Sequence, residues 1–472
     1  MIELANPAVN PLRFPRRPGA VRLLVVLAAL TVVASLLASC RPPDYQAGLI
    51  RIGAVFPISG NAASLAGPEL TGVRIAADLV NADGGIAGRR IELEVRDLRS
   101  RGEADAVMTG LRDAGVRLVI GAYSSDLSIA ASEAADRAGL LYWEAGAVAD
   151  RLTGRGLPMV FRVGASGANL GANSSAFAAD DLAGRLGKTT SSLRVAIAVA
   201  DDEYARSVAD AAESTAAQRG MPIVIRRTYN LSVPDWPRVM ADLAAATPDV
   251  IILASHIPDG IAFRQAMLTA GLKVGALIGS TMAECDPDFA GELGPDAIGI
   301  FASDRPTAGF QASALGSDAA AAYARFATAW DAAAHQAGGS GDVPGDRYGD
   351  SEYTIHGPAE DATAEESEEA LAGFSASWAL FRHVLPAVAT KDGGTSAELD
   401  AASVAAAART VDLPDGSLPN GAGLRFSNDP ARLGQNERAA AVIWQWQAVR
   451  TYAFVWPPTY ATGAVAFVPL ER

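Results

Sequence analysis

The chain has 472 residues, half of them apolar and 19% charged, enough to bury a core and to form two or three domain-sized units. Its formal charge is -14, with acidic residues spread along the sequence. That balance argues against a nucleic-acid partner, because neutralising phosphates needs clustered Lys and Arg.

Arg13, Arg16, Arg17 and Arg22 precede an apolar run from Leu23 to Leu37, the n-region and h-region pattern of a secretory signal. The run falls short of the roughly twenty residues needed to cross hydrocarbon. It ends Leu37-Ala38-Ser39-Cys40, which resembles the lipobox of bacterial lipoproteins and implies cleavage before Cys40 and diacylation of that cysteine. Residues 1–39 are then a lipoprotein signal peptide and 40–49 a linker. Two acyl chains would anchor the body stably to the membrane from outside the cytoplasm. The Arg16-Arg17 pair is followed by Pro18-Gly19-Ala20, which does not resemble the twin-arginine consensus, so the ordinary secretory route is expected. With Cys40 acylated, Cys285 is left without an intramolecular partner and reads as a small packed residue.

From Leu49 to Phe56 the sequence reads as a buried strand, ended by Pro57 and the turn residues Ser59-Gly60-Asn61. Apolar residues then recur at helical spacing from Pro68 to Asn81, Asp83-Gly84-Gly85 stops the helix, and Arg90 to Val95 alternates as a strand. The pattern repeats as helix 103–114, strand 116–120, loop 121–126, helix 127–138 and strand 140–143. A second set runs through strand 194–200, helix 204–218, strand 223–228, helix 236–246, strand 249–254, helix 260–270 and strand 275–278. Alternation of this kind predicts parallel sheets covered by helices, and two separate sets imply two lobes.

Between Ala332 and Glu369 the composition shifts to Gly, Asp, Glu and Ser, with Glu365-Glu366-Ser367-Glu368-Glu369 at its end. This predicts a solvated acidic insertion, not a metal site, because carboxylates without fixed geometry make no cage. Helices are expected over 371–388 and 397–408, and strands over 424–426, 439–447 and 452–456.

Several segments in this order resemble the type 1 periplasmic binding proteins, in particular the branched-chain amino acid and amide-binding group that serves ABC transporters. They are Ile52-Gly53-Ala54-Val55-Phe56-Pro57-Ile58-Ser59-Gly60, the helix end from Val80 to Gly88, Val119 to Ser125, Leu152-Thr153, Phe161-Arg162, Asp201 with Tyr204, and Gly434-Gln435-Asn436 before Trp444-Gln445-Trp446. The resemblance implies an α/β fold of two doubly wound parallel-sheet lobes joined by three crossings. The crossings are expected near Val163 to Ser166, Phe301 to Arg305 and Thr410 to Leu413. The first lobe then takes 50–164 plus 304–410, carrying the 332–369 insertion. The second takes 165–303 plus 411–458, and 459–472 is a tail.

Ligands of open parallel sheets sit beyond the carboxyl ends of the strands. Tyr123, Ser124 and Ser125 lie there, where hydroxyls and helix N–H groups can hold a carboxylate or carbonyl oxygen; capping of the helix by either serine is the plainer alternative. By resemblance this loop and Ala147-Val148 anchor the ligand, Ser59 and Leu65 line the mouth, and Tyr204 covers the ligand from the second lobe. His256 and Thr281 stand where relatives place an aromatic and an acidic residue. The change at Thr281 leaves a ligand ammonium without its partner, unless Glu284, Asp259 or Glu144 supplies the charge from a shifted register, and widens the expected solutes to amides, urea-like molecules and short carboxylates beside amino acids. Glu144, at a strand end, is expected either to orient a polar ligand or to serve in a structural or surface ion pair.

No nucleophile, base and orienter set occurs, the four histidines lack metal-ligand spacing, and there is no phosphate-cradling Gly-Lys-Ser/Thr. The expectation is therefore a monomeric extracytoplasmic solute-binding lipoprotein without cofactor or metal, its partners a small-molecule ligand, an ABC permease and the membrane that holds its lipid anchor. It would sit on the periplasmic side or at the cell surface. A ligand-sensing subunit of a signalling system would use the same fold, and a ligand-free envelope lipoprotein would fill the cleft with bulky residues.

Overall fold

The computed structural model describes residues 48–470 apart from 61, 281–286, 308, 339–353, 356–367, 390–398 and 450. The signal segment, Cys40, Thr281, Cys285 and most of the acidic insertion therefore lie outside the described residues.

The first sheet is parallel throughout, in the order β2-β1-β3-β4-β5, from β1 (Leu49–Phe56), β2 (Arg90–Asp97), β3 (Leu118–Gly121), β4 (Leu141–Glu144) and β5 (Val160–Arg162). Successive side chains of a strand point to opposite faces. Here both faces are dry. Ala54 and Phe56 join one apolar cluster while Val55 joins another, and Trp143 and Tyr142 divide the same way. One face is covered by α1 (Ala63–Ala82), the other by α2 (Ala104–Asp113) and α3 (Ser125–Ala138). The near-continuous apolar strands follow from this double burial.

The second sheet has the order β11-β15-β14-β10-β9-β8-β6-β7. Its parallel part is β6 (Val195–Ala200), β7 (Ile223–Tyr229), β8 (Val250–Ala254), β9 (Ala276–Ser280) and β10 (Phe301–Asp304). Helices α5 (Glu203–Gln218), α6 (Trp236–Ala246) and α7 (Ile257–Ala270) follow β6, β7 and β8, and α4 (Gly167–Phe177) precedes β6. β14 (Val442–Ala448) and β15 (Thr451–Trp456) are added antiparallel, and the two-residue β11 (Thr354–Ile355) pairs parallel with β15. Helix α4 and its π-helical continuation have no counterpart in the periodicity reading: the segment is rich in Ala, Gly, Ser and Asn. Its small residues let it lie against α5, where a Cβ at Gly171 would fall 2.0 Å from Val208 O.

The chain leaves the first sheet after β5 and the second after β10. The third changeover lies later than Thr410 to Leu413. After α10 (Ala401–Ala408) comes a hairpin of β12 (Asp412–Leu413) and β13 (Leu424–Arg425), and the chain then still bonds to β5. Arg162 N–H donates to Gly434 O at 2.9 Å, Asn436 N–H to Arg162 O at 2.9 Å, and the Phe426 ring lies edge-on to Trp143 and Phe161. The chain reaches the second sheet at Val442, so 411–436 belongs with the first. Residues 459–470 are tied to the second sheet: Leu470 N–H donates to Gly275 O, and the Gln445 side chain bonds both the N–H and the C=O of Ala466.

The acidic run is the other correction. Helix α8 (Ser317–Gly338) extends into the segment read as insertion, and α9 (Glu368–Trp378) starts inside it. Glu368 is buried and ion-paired with Arg305, a partner 63 residues away that local composition does not reveal. Helix α9 packs closely on α1 because Gly72 and Gly373 face the partner backbone; a Cβ at Gly72 would lie 2.0 Å from Ala370 O.

Arg305 is the first residue beyond β10. It also donates to Gly146 O at 2.9 Å, and its backbone N–H donates to Asp304 Oδ1 at 2.6 Å. Three buried carboxyl groups, Glu69, Asp304 and Glu368, thus crowd around this guanidinium with Glu144 beside Glu69, and neither oxygen of Glu69 has a hydrogen-bond partner. Burial, then the charge of Glu144, pushes the Glu69 pKa well up against the pull of Arg305, with Glu368 and Glu369 adding to the rise. Burial and then Glu368 do the same to Asp304. A group with a raised folded-state pKa stabilises the fold fully below its unfolded value, about 4 for a carboxyl, and that stability is lost as pH rises through the folded value. E69Q and D304N are therefore expected to melt higher than the parent at pH 8, by an amount equivalent to about 1–3 kcal/mol, and to converge with it near pH 4. Calorimetric melting across that range checks this; a parent protein that is not destabilised relative to the variants at pH 8 contradicts it.

Candidate functional site

The carboxyl ends of the two parallel sheets face each other. The loop after β4 reaches Asp150, whose N–H donates to Ser207 Oγ of α5 at 3.0 Å and whose Oδ1 accepts Ala168 N–H of α4 at 3.1 Å. Arg151 lies 3.8 Å from Glu203, the first residue of α5. Ser207 is one turn from Tyr204 on the same helix face. The loops after β3 and β4 therefore oppose those after β6 and β8.

On the first-lobe side, Tyr123 adopts φ +54° and is 4% exposed, packed into the core. Ser124 precedes α3 without making a side-chain capping bond, so its hydroxyl is not used for the plainer role. Ser125 Oγ accepts the N–H groups of Val148 at 3.3 Å and Ala149 at 3.1 Å. The structure thus joins the 123–125 and 147–148 loops into one wall. It also spends the N–H groups of that second loop: Ala147 N–H goes to Glu144 Oε1 at 2.8 Å. The groups of this wall left for further hydrogen bonds are the Ser124 hydroxyl, the Ser125 hydroxyl proton and the first turn of α3, whose N–H groups have no intrahelical acceptor. Ser59 is exposed and donates to Asp97 Oδ2, tying the β1 loop to the end of β2, and Leu65 packs half-buried on the core.

The opposite wall is aromatic and charged. Tyr204 is 5% exposed, its hydroxyl donates to Ser280 Oγ at 3.1 Å, and its ring centroid is 5.1 Å from that of His256. His256 Nε2 sits 2.9 Å from Asp202 Oδ2, while His256 N–H donates to Asp259 Oδ1 at 3.0 Å. Asp202 also caps α5 through Ala205 N–H at 2.8 Å. Burial opposes charge on His256, but the hydrogen bond and charge of Asp202 outweigh it and raise the imidazole pKa above 6.5. Asp202 is held low for the reciprocal reason: burial alone would raise it, and His256 overcomes that.

Chain reading did not find roles for Asp150, Arg162, Ser207 or Ser280. Arg162 ends an apolar strand and is 1% exposed, and an arginine in that setting is the available signal.

The periplasmic binding protein family model matches residues 49–343. The chain belongs to that family. Leu/Ile/Val-binding protein homolog 8 of Brucella suis biovar 1 (strain 1330) is 29% identical over 448 residues, covering 93% of this chain and 99% of the relative. An ABC transporter substrate-binding protein from Desulfitobacterium hafniense, solved in complex with Leu, superposes with TM-score 0.61 at 22% identity, over 86% of this chain and 100% of that one. A solute-binding protein from R. palustris in complex with benzoate gives TM-score 0.61 at 16% identity, over 90% and 100%. These structures share the fold. As a member of the periplasmic binding protein family the chain is a binding protein, not an enzyme.

D202N is expected to bring the His256 pKa down, since the bond and charge that raise it are lost while burial remains. An NMR titration of the imidazole proton reads this directly, and an unmoved pKa in the variant would remove Asp202 as the cause.

Proposed function

We propose that this protein is the extracytoplasmic solute-binding lipoprotein of an ABC importer, and that it holds a small carboxylate-bearing solute, an aliphatic amino acid first among candidates, between its lobes. The observation that carries the reading is the pair of opposed walls. Ser124, Ser125 and the positive end of α3 suit a carboxylate, and the Tyr204 ring opposite offers apolar area with a polar tip. The Brucella relative named for Leu, Ile and Val and the leucine and benzoate complexes of the structural neighbours support the same class.

A ligand bridging both walls binds the closed arrangement better than the open one and shifts the population toward it. The closed form would then be the one that docks on the permease. Cys40, at the end of the lipobox-like segment, is the residue proposed to carry the lipid.

Thermal melting of the body from Asp44 to Arg472 should rise with leucine, isoleucine, valine or benzoate and stay unmoved with urea, because a ligand of the native state alone raises its melting temperature. S124A and S125A together should weaken the responding solute about tenfold or more without lowering the ligand-free melting temperature by more than a few degrees. No response to any carboxylate-bearing solute would overturn the ligand class. In cells, C40A should prevent incorporation of labelled palmitate and release the protein from the membrane fraction; continued labelling would place the lipid elsewhere.

A further inference from the structure

The loop from Ala145 to Ala149 forms part of the first-lobe wall, and loops of its kind ordinarily meet their backbone polarity with water or ligand. This one does not. Glu144 Oε1 accepts three consecutive N–H groups, from Ala145 at 3.1 Å, Gly146 at 3.0 Å and Ala147 at 2.8 Å. Arg162 Nη1 is within hydrogen-bond distance of three consecutive carbonyls, Ala147 at 3.3 Å, Val148 at 2.8 Å and Ala149 at 2.8 Å. The N–H groups of Val148 and Ala149 go to Ser125, and Gly146 O goes to Arg305.

Glu144 and Arg162 are partners in the register of β4 and β5, so strand alternation puts both side chains on one face of the sheet, the face of Tyr142 and Val160. Both are essentially without solvent contact, at 0% and 1% exposure. Each is fixed by further groups: Tyr142 hydroxyl donates to Glu144 Oε2 at 3.1 Å, and Arg162 Nε donates to Gln435 Oε1 at 2.5 Å. Gly146 is confined as well, since a Cβ there would fall 2.1 Å from Glu69 Oε2.

We infer that Glu144 and Arg162 are positioning residues for ligand binding, which hold the 145–149 loop, and through it Ser125, in the ligand-ready shape before any ligand arrives. The inference rests on the proposed reading of this wall as the ligand wall. A carboxyl and a guanidinium placed under one loop serve that end better than single neutral donors, because one Glu144 oxygen takes three N–H groups and the charged Arg162 makes charge-assisted hydrogen bonds, roughly twice as strong as neutral ones. A site held in its bound shape avoids the ordering cost on binding. Their own chemistry is consumed by the backbone, so neither touches the solute.

The test is amide hydrogen exchange of the ligand-free body from Asp44 to Arg472, comparing the parent with E144Q and with R162K, which keeps the charge but loses the planar fork. The expected result is exchange about tenfold or more faster in residues 145–149, with strands β1 to β4 unchanged. Affinity for L-leucine, read by calorimetry at a temperature where parent and variants are all folded, should fall about tenfold or more in both variants. Unchanged exchange of the loop in E144Q would overturn the inference, and so would acceleration spread over the whole first sheet, which marks plain core residues. If the parent shows the expected exchange pattern against its variants but binds neither L-leucine nor benzoate, the positioning of the loop stands and the proposed ligand class falls.

Discussion

Buried charge has to be matched within the protein, and in this fold the matching is done by arginines that no nearby residue in the chain predicts. Arg305 is the clearest case. It stands where the chain leaves the second sheet, yet its guanidinium binds Glu368 of α9 and the carbonyl of Gly146 in the loop after β4. Leaving either partner unmatched in a dry interior costs several kcal/mol, roughly. The crossing, the helix and the loop are therefore held to one geometry by one side chain. The surplus of carboxyls around it means that protons share the work, which is why the raised pKa values gather at the junction of the two sheets.

Arg162 does the same for the wall itself. It joins β5, the loop after β4 and, through Gln435, the returning segment that the chain lays along the sheet edge. That returning segment explains why the third changeover is late: Asn436 donates to Val163 O and Gly423 O, and a strand edge left bare would expose backbone groups to solvent or to other chains. The two-lobed architecture thus depends on polar locks at the places where the apolar sheets end.

The opposed walls differ in kind. The first lobe offers hydroxyls and a helix N-terminus on a stiff frame; the second offers Tyr204 beside the His256–Asp202 pair. A stiff anchoring wall with an aromatic cover is suited to a ligand gripped at one polar end and covered by the other lobe. Asp202 lies at hydrogen-bond distance from the imidazole, so the second wall sets a paired polar group beside the Tyr204 ring.

Hydrophobic periodicity made β1, the helix over 236–246 and the alternation of strands and helices legible, because double burial in a parallel sheet demands continuous apolar strands and 3.6-residue repeats around them. Turn residues and strand ends likewise marked the loops that follow the parallel strands, so Ser124 and Ser125 were expected there from order along the chain and Tyr204 from family resemblance. Helix α4 was not legible, since its contact with α5 rests on small residues that carry no hydrophobic stripe. The buried state of Glu368, the clamp made by Glu144 and Arg162, and the late crossing were also out of reach. Glu368 depends on a partner 63 residues away, Arg162 on carbonyls 13 to 15 residues away and the late crossing on a bond spanning 273 residues, whereas the bonds of Glu144 are local but need it buried. Sequence determined which segments must be buried, because burial follows from composition and period; tertiary structure alone decided which charges could be buried with them, because that requires a partner at hydrogen-bond distance.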